Sequence, residues 1–248
     1  MTDERRHTAI DDVVVHMRRH ISRHGLGPGD ELPSEIDLSR HLGISRTTVR
    51  EASRRLSALG LIDVGVGKRP RVSHLKPDVL HEIVGDALLT GQVGTADILE
   101  ARSGIEIAMA ALAAARRSAA TLEQLAAILA DMAATLHDLD AYADLDFRFH
   151  GLLAEATGNA FYVFLVNGCH GAFRDSMAIG HGSRRDAAEL RHVQALHARI
   201  FEAVRRGDAH AAGAAMQAHF TDAIAAVNRR RATNQATSPT IKPRGEPR

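Results

Sequence analysis

The sequence predicts a mainly α protein in two parts, and three observations carry that prediction. Apolar residues recur at helical spacing along most of the chain, with Gly25, Gly43, Gly60, Gly91, Gly94, Gly158 and Gly207 as breaks. Extended character is confined to residues 61–64 and 70–72, two short strands around Val66-Gly67-Lys68-Arg69. At residues 73–78 the composition shifts, with Pro77 disfavouring helix at the residue before it, and the chain then turns alanine-rich.

Residues 1–7 are polar and expected to be flexible. From Thr8 the set Ile10, Val13, Val14, Met17 and Ile21 follows the i, i+3, i+4, i+7 rule, giving a helix to about His24. The turn-rich stretch from Leu26 to Pro33 ends in a capping Ser34, followed by a short helix with Ile36, Leu38 and Leu42 on its apolar side and Gly43 as its stop. Ser45 then caps a helix that separates into two faces. Val49, Ala52, Leu56 and Leu59 form one; Arg46, Thr47, Arg50, Ser53 and Arg54 form the other. Helix, turn, helix and a basic hairpin tip make a winged helix-turn-helix over residues 8–73, three helices plus a small β-hairpin wing.

Residues 74–79 read as a linker. Residues 80–230 read as an all-α antiparallel helical bundle with helices near 78–90, 95–117, 121–138, 140–157, 160–179, 185–206 and 209–230. Residues 231–248, rich in Thr, Pro, Ser and charge, cannot build a core and are expected to be disordered.

Composition bounds the function. With 248 residues, 45% hydrophobic and 25% charged, the chain suits one or two globular domains. A net charge of +1 does not suggest nucleic acid, but its distribution does, since basic side chains gather on the Ser45 helix, the wing and the tail. The single Cys169 excludes an intramolecular disulfide. No signal-peptide pattern is present and the apolar runs are too short to span a bilayer, so a cytoplasmic protein without membrane association is expected.

Two chemistries stand out. Arg46 and Arg50 sit about one turn apart on the exposed helix face, and a guanidinium fork matches the O6/N7 edge of guanine, while threonine suits a phosphate or thymine methyl. Taken alone, these residues fit an ordinary solvated face equally well. In the second domain, Asp146 and His150 stand four apart on one helix face. His197 precedes Gly207 by ten residues and His219 follows it by twelve, so a turn at Arg206-Gly207-Asp208 sets both imidazoles at similar heights. Three histidines and a carboxylate suit a divalent transition metal, zinc first, with nickel or another as alternatives. With 15 histidines in the chain, coincidental spacing and a packing role remain open, and His170, His181 and His192 carry no spacing that argues for a role.

The stretch from Leu26 to Val72 resembles the winged-helix domain of the GntR family of bacterial transcription regulators. Residues 80–228 resemble the FCD ligand-binding domain of the family's FadR branch, through Glu100-Ala101-Arg102-Ser103-Gly104-Ile105-Glu106, Asp146 to His150, Ala156-Thr157-Gly158-Asn159, His197, Gly207-Asp208 and Met216-Gln217-Ala218-His219. The resemblance implies a homodimeric, metabolite-responsive regulator, repression relieved by ligand being the commoner outcome, on a palindromic operator. Its DNA contacts would come from Ser45, Arg46, Thr47, Thr48, Arg50, Gly67 and Lys68. Its metal would sit on Asp146, His150, His197 and His219, and Arg102 would hold a small carboxylate effector, with Asn159 and Arg174 as further ligand-binding candidates. A salt bridge from Arg102 to Glu106 or Glu100, a helix cap at Asn159 and a surface role for Arg174 are the plainer readings. Ile36 departs from the family pattern, since many relatives carry arginine there. The rival reading is a metal-dependent hydrolase or lyase fused to a DNA-binding domain; a third is a ligand-free architectural DNA-binding dimer.

Overall fold

The computed structural model describes residues 8–65 and 67–237 and divides the chain into two compact units, Met1–Leu80 and His81–Arg248. The expected flexible residues 1–7, and 238–248 of the expected disordered tail, lie outside the described residues.

In the first unit, α1 (Ala9–His24) starts at a capping box between Thr8 and Asp11 and stops at Gly25. Helices α2 (Glu35–Leu42) and α3 (Arg46–Ala58) are opened by Ser34 and Ser45, whose hydroxyls each accept a bond from the backbone N–H three residues on. Strands β1 (Ile62–Asp63) and β2 (Arg71–Val72) pair antiparallel, with Ile62 opposite Val72. The turn-rich stretch joins them: Leu32 N–H bonds to Pro70 O at 2.8 Å and Val72 N–H to Asp30 O at 2.9 Å. One apolar core, including Val13, Met17, Leu38, Val49, Leu56 and Ile62, fixes α3 against α1 and the hairpin.

Three side chains depart from the predicted faces. Ile36 is 47% exposed and Leu59 51% exposed, because Ile36 sits on the outer side of the first turn of α2 and Leu59 is the residue beyond α3. Ser53, expected outside, is buried.

The second unit is helical throughout: α4 (Pro77–Leu89, begun in the first unit), α5 (Thr95–Arg116), α6 (Ala119–Ala134), α7 (Leu139–Ala156), α8 (Ala160–Gly168), α9 (His170–Gly182), α10 (Ala187–Arg206) and α11 (Ala209–Thr237). Pro77 takes the first helical position, where its missing N–H costs nothing. Helix α5 packs against α7, α9, α10 and α11, so its residues face the centre of the bundle.

The single helix expected over 160–179 is two. Cys169 leaves helical geometry at φ −96°, ψ 14° between Gly168 and Gly171, and a Cβ on Gly171 would stand 2.9 Å from the His81 ring. Helix α11 continues seven residues beyond the expected 230, and Arg230 donates from Nη1 to Gly182 O at 2.8 Å. No helix among the described residues is long and apolar enough to cross a membrane.

Candidate functional site

Two sites emerge, one in each unit. In the first, α3 and the wing enclose an open cleft of about 660 Å³, into which Arg46, Arg50 and Arg54 of α3 and Lys68 and Arg69 of the wing all face. Ser34, Glu35 and Ile36 form its other wall, together with Gly67 at the wing tip, where φ is +69°. That backbone angle suits glycine and lets the tip turn sharply.

Arg46, Thr47 and Arg50 are exposed. Ser45 and Thr48 are engaged in capping, with Thr48 N–H 3.1 Å from Ser45 Oγ and the two hydroxyls 2.8 Å apart. Arg50 is oriented by Glu35: its Nε and Nη2 both lie 3.1 Å from Glu35 Oε2. The residues that sequence reasoning left out of this site are Arg54 and Arg69. Arg54 was available as the next turn after Arg50; Arg69 depends on how the wing folds. Five cations against one carboxylate make a surface for a polyanion.

In the second unit, α7 presents Asp146 and His150, α10 presents His197, and α11 presents His219; all four are buried. The α10–α11 hairpin forms as the spacing required. Gly207 takes φ +75° as C-cap of α10, and Asp208 accepts from Ala211 N–H at 2.9 Å to open α11. The His197 and His219 ring centres are 4.4 Å apart, and one nitrogen from each of His150, His197 and His219 falls within a 4.8 Å sphere of mutual separation.

The donor atoms converge without satisfying one another. His197 Nε2 is 2.7 Å and His150 Nε2 3.3 Å from Asp146 Oδ1. Yet Asp146 Oδ1, His150 Nε2, His197 Nε2 and His219 Nδ1 are all buried without a hydrogen-bond partner. Buried lone pairs are costly unless something cationic satisfies them. A divalent metal with nitrogen and oxygen ligands at about 2.0–2.2 Å fits this donor set. His197 Nδ1 lies 3.1 Å from Val193 O, which fixes the tautomer with the lone pair on Nε2, as a metal ligand requires.

Electrostatics agree. Burial opposes ionisation of Asp146, but the His197, His150 and His181 imidazoles against its oxygens outweigh it and hold the carboxyl well below the ordinary range. Burial likewise opposes a charged His150, but Glu106 and Asp146 prevail and push it up to about 9. Burial, then His197 and His150, keep His219 neutral by pushing it well down, and burial lowers His197. Glu106 and Asp146 thus draw positive charge into the pocket, where a metal ion would displace the proton that His150 otherwise carries, while His197 and His219 favour the neutral form.

Glu106 and His181 belong to this cluster, although spacing did not assign them. Glu106 Oε2 is in ion-pair contact with His150 Nδ1, and His181 Nε2 lies 3.0 Å from Asp146 Oδ2. Arg102 is buried on α5 beside them. It donates from Nε to Glu106 Oε1 at 2.8 Å and from Nη1 to Ser176 Oγ at 2.7 Å, with Phe173 and Phe220 against its guanidinium. Its Nη2 is buried and unpartnered. The salt bridge to Glu106 therefore exists, and it leaves one donor over. The structure does not bring Asn159 or Arg174 to the cluster. Asn159 is exposed and caps α8 by accepting from Phe161 N–H at 3.0 Å; Arg174 pairs with Asp144 at 2.5 Å on the surface.

Comparison with known proteins follows the same division. Residues 9–72 match the family described as bacterial regulatory proteins, gntR family, and residues 97–222 match the FCD domain. The HTH-type transcriptional regulator LutR of Bacillus subtilis is 31% identical over 201 residues, covering 79% of this chain and 91% of LutR. The HTH-type transcriptional repressor NanR of Salmonella newport is 30% identical over 222 residues, covering 86% of this chain and 83% of NanR. The solved structure of a Streptococcus agalactiae GntR shares the fold, with a TM-score of 0.61 at 24% identity over 87% of this chain and 99% of that one. The family and these relatives are transcription regulators and not enzymes, which sets aside the hydrolase or lyase alternative. The chain belongs to the GntR family of bacterial regulatory proteins, as a DNA-binding transcription regulator with a C-terminal FCD domain.

Proposed function

We propose that this regulator is a cytoplasmic homodimeric repressor that binds a palindromic operator and releases it when its helical domain takes up a small carboxylate. The observation that carries the sensing half is the set of orphaned, buried donors on Asp146, His150, His197 and His219, with the unpartnered Nη2 of Arg102 beside them. These four residues would hold a divalent transition metal, zinc by preference for nitrogen and oxygen donors, and Arg102 would take a carboxylate oxygen. When bound, the ion supplies a Lewis-acid position for a ligand oxygen. Glu106 and His181 orient His150 and Asp146, and Ser176 orients Arg102.

In the reading half, Arg46 and Arg50 address base edges. Thr47 contacts phosphate or a thymine methyl, and Ser45 and Thr48 set the helix N-terminus against the backbone. Gly67 and Lys68 bring the wing to the neighbouring groove. Dimerisation is supported by apolar side chains left open on the helical unit, Ile83, Leu89 and Phe161, and a two-fold dimer reads a palindrome. NanR is named a repressor, which agrees with the proposed sign.

The test is thermal melting against a panel of mono-, di- and hydroxycarboxylates, before and after metal removal. An acid at about 100 times its dissociation constant adds roughly 2.7 kcal/mol, a rise of a few degrees. The reading predicts such a rise for at least one acid and its disappearance on metal removal. A rise that survives metal removal, or none from any acid, contradicts a metal-anchored carboxylate site.

A further inference from the structure

The basic cleft of the DNA-binding unit also holds two apolar side chains that its five cations do not account for. Ile36, the second residue of α2, and Val64, beside the wing, are both half-exposed, and both line the cleft. Among the described residues neither belongs to the apolar core of this unit nor packs against it. A single exposed isoleucine on an ordinary surface needs no account. In a cleft built for a polyanion its place matters.

The neighbours of Ile36 are engaged and fix its position. Ser34 Oγ accepts from Asp37 N–H at 3.1 Å and donates to Asp37 Oδ2 at 2.6 Å, which sets the first turn of α2. Glu35 is committed to Arg50, so Ile36 enters the cleft beside the α3 reading face. The apolar staple of a helix start uses the residue before the cap and the fourth helical residue, here Pro33 and Leu38, so Ile36 has no packing duty in the cap. It has no donor or acceptor for a phosphate or a base edge. The major groove offers one apolar feature, the C5 methyl group of thymine, and an aliphatic side chain matches it.

We propose that Ile36 is a specificity-determining residue of the DNA-binding unit, which selects a thymine in the operator by apolar contact with its C5 methyl group. This contact presupposes that the cleft between α3 and the wing faces DNA, as proposed above. It neutralises no phosphate and so adds sequence preference without adding to the salt dependence of binding.

The test starts with selection of bound sequences from a random duplex library by the full-length protein. Affinity for the selected duplex is then compared with duplexes in which single thymines are replaced by uracil, which removes the methyl group and keeps every hydrogen-bonding group. Wild type, Ile36→Ala, the milder Ile36→Val and Arg46→Ala are measured, with melting curves to check that each is folded. The expected result is a thymine position at which uracil weakens wild type about 4-fold, the worth of one buried methyl group, and leaves Ile36→Ala unaffected. Ile36→Val keeps part of that penalty, and Arg46→Ala keeps it while binding the selected duplex more weakly overall. No uracil penalty at any position, or one that is equal in wild type and Ile36→Ala, overturns the proposal alone when Arg46→Ala still weakens binding. Wild-type affinity in Arg46→Ala, or a library that yields no preferred sequence, overturns the DNA-facing cleft and this contact together.

Discussion

Arg50 is held before any DNA arrives. Its two contacts with Glu35 Oε2 aim the guanidinium along the α3 face, and the half-exposed pair is worth at most about 1 kcal/mol, so it orients without locking. Arg50→Ala should cost about 1–3 kcal/mol of specific operator binding and relax base preference. Binding across a randomised operator library reads this directly; equal loss on every sequence would reduce Arg50 to a phosphate contact. Residue by residue, the sequence revealed what spacing along one helix can reveal. Asp146 with His150, and Arg102 with Glu106, are i, i+4 pairs, and both formed. The Glu106 contact to His150 and the His181 contact to Asp146 cross between helices, and a one-dimensional pattern carries no sign of them. Asn159 and Arg174 failed to join the cluster because nearer partners, the α8 N-terminus and Asp144, claim their side chains.

At the scale of elements, the α10–α11 hairpin sets the geometry of the proposed metal site. Gly207 is its pivot, and two independent facts oppose a side chain there: φ is +75°, and a Cβ would stand 2.6 Å from the Arg117 guanidinium. Gly207→Ala should therefore cost about 1–2 kcal/mol in backbone strain alone and displace Arg117 from Ala114 O. The expected outcome is a melting temperature lower by several degrees, with weakened metal retention because His197 and His219 lose register. An unchanged melting curve would mean that the turn is not left-handed in solution. This hairpin was legible because glycine marks its turn and the histidines count outward from it. The break at Cys169 was not, since it depends on Gly171 closing on His81, a contact between helices distant in sequence. The end of α11 was misjudged for a similar reason: composition alone reads its last turns as tail, but Arg230 reaches Gly182 O and Arg229 lies 3.4 Å from Glu189.

For the whole molecule, a net charge of +1 conceals a sharp division of labour. Positive charge is concentrated at the cleft between α3 and the wing, and buried carboxylates and imidazoles are concentrated in the helical unit. The two-part plan was visible from the change at 73–78 and from hydrophobic period. What joins the two activities is thermodynamic: an effector alters operator affinity only by its differential affinity for the bound and released states, commonly 1–3 kcal/mol. The measurement that tests this most directly is operator affinity of the metal-loaded protein with and without a saturating carboxylate that raises its melting temperature, repeated after metal removal. The account predicts a weakening of about 5- to 150-fold by the acid, lost when the metal is removed. An operator affinity unchanged by every acid that binds would contradict it.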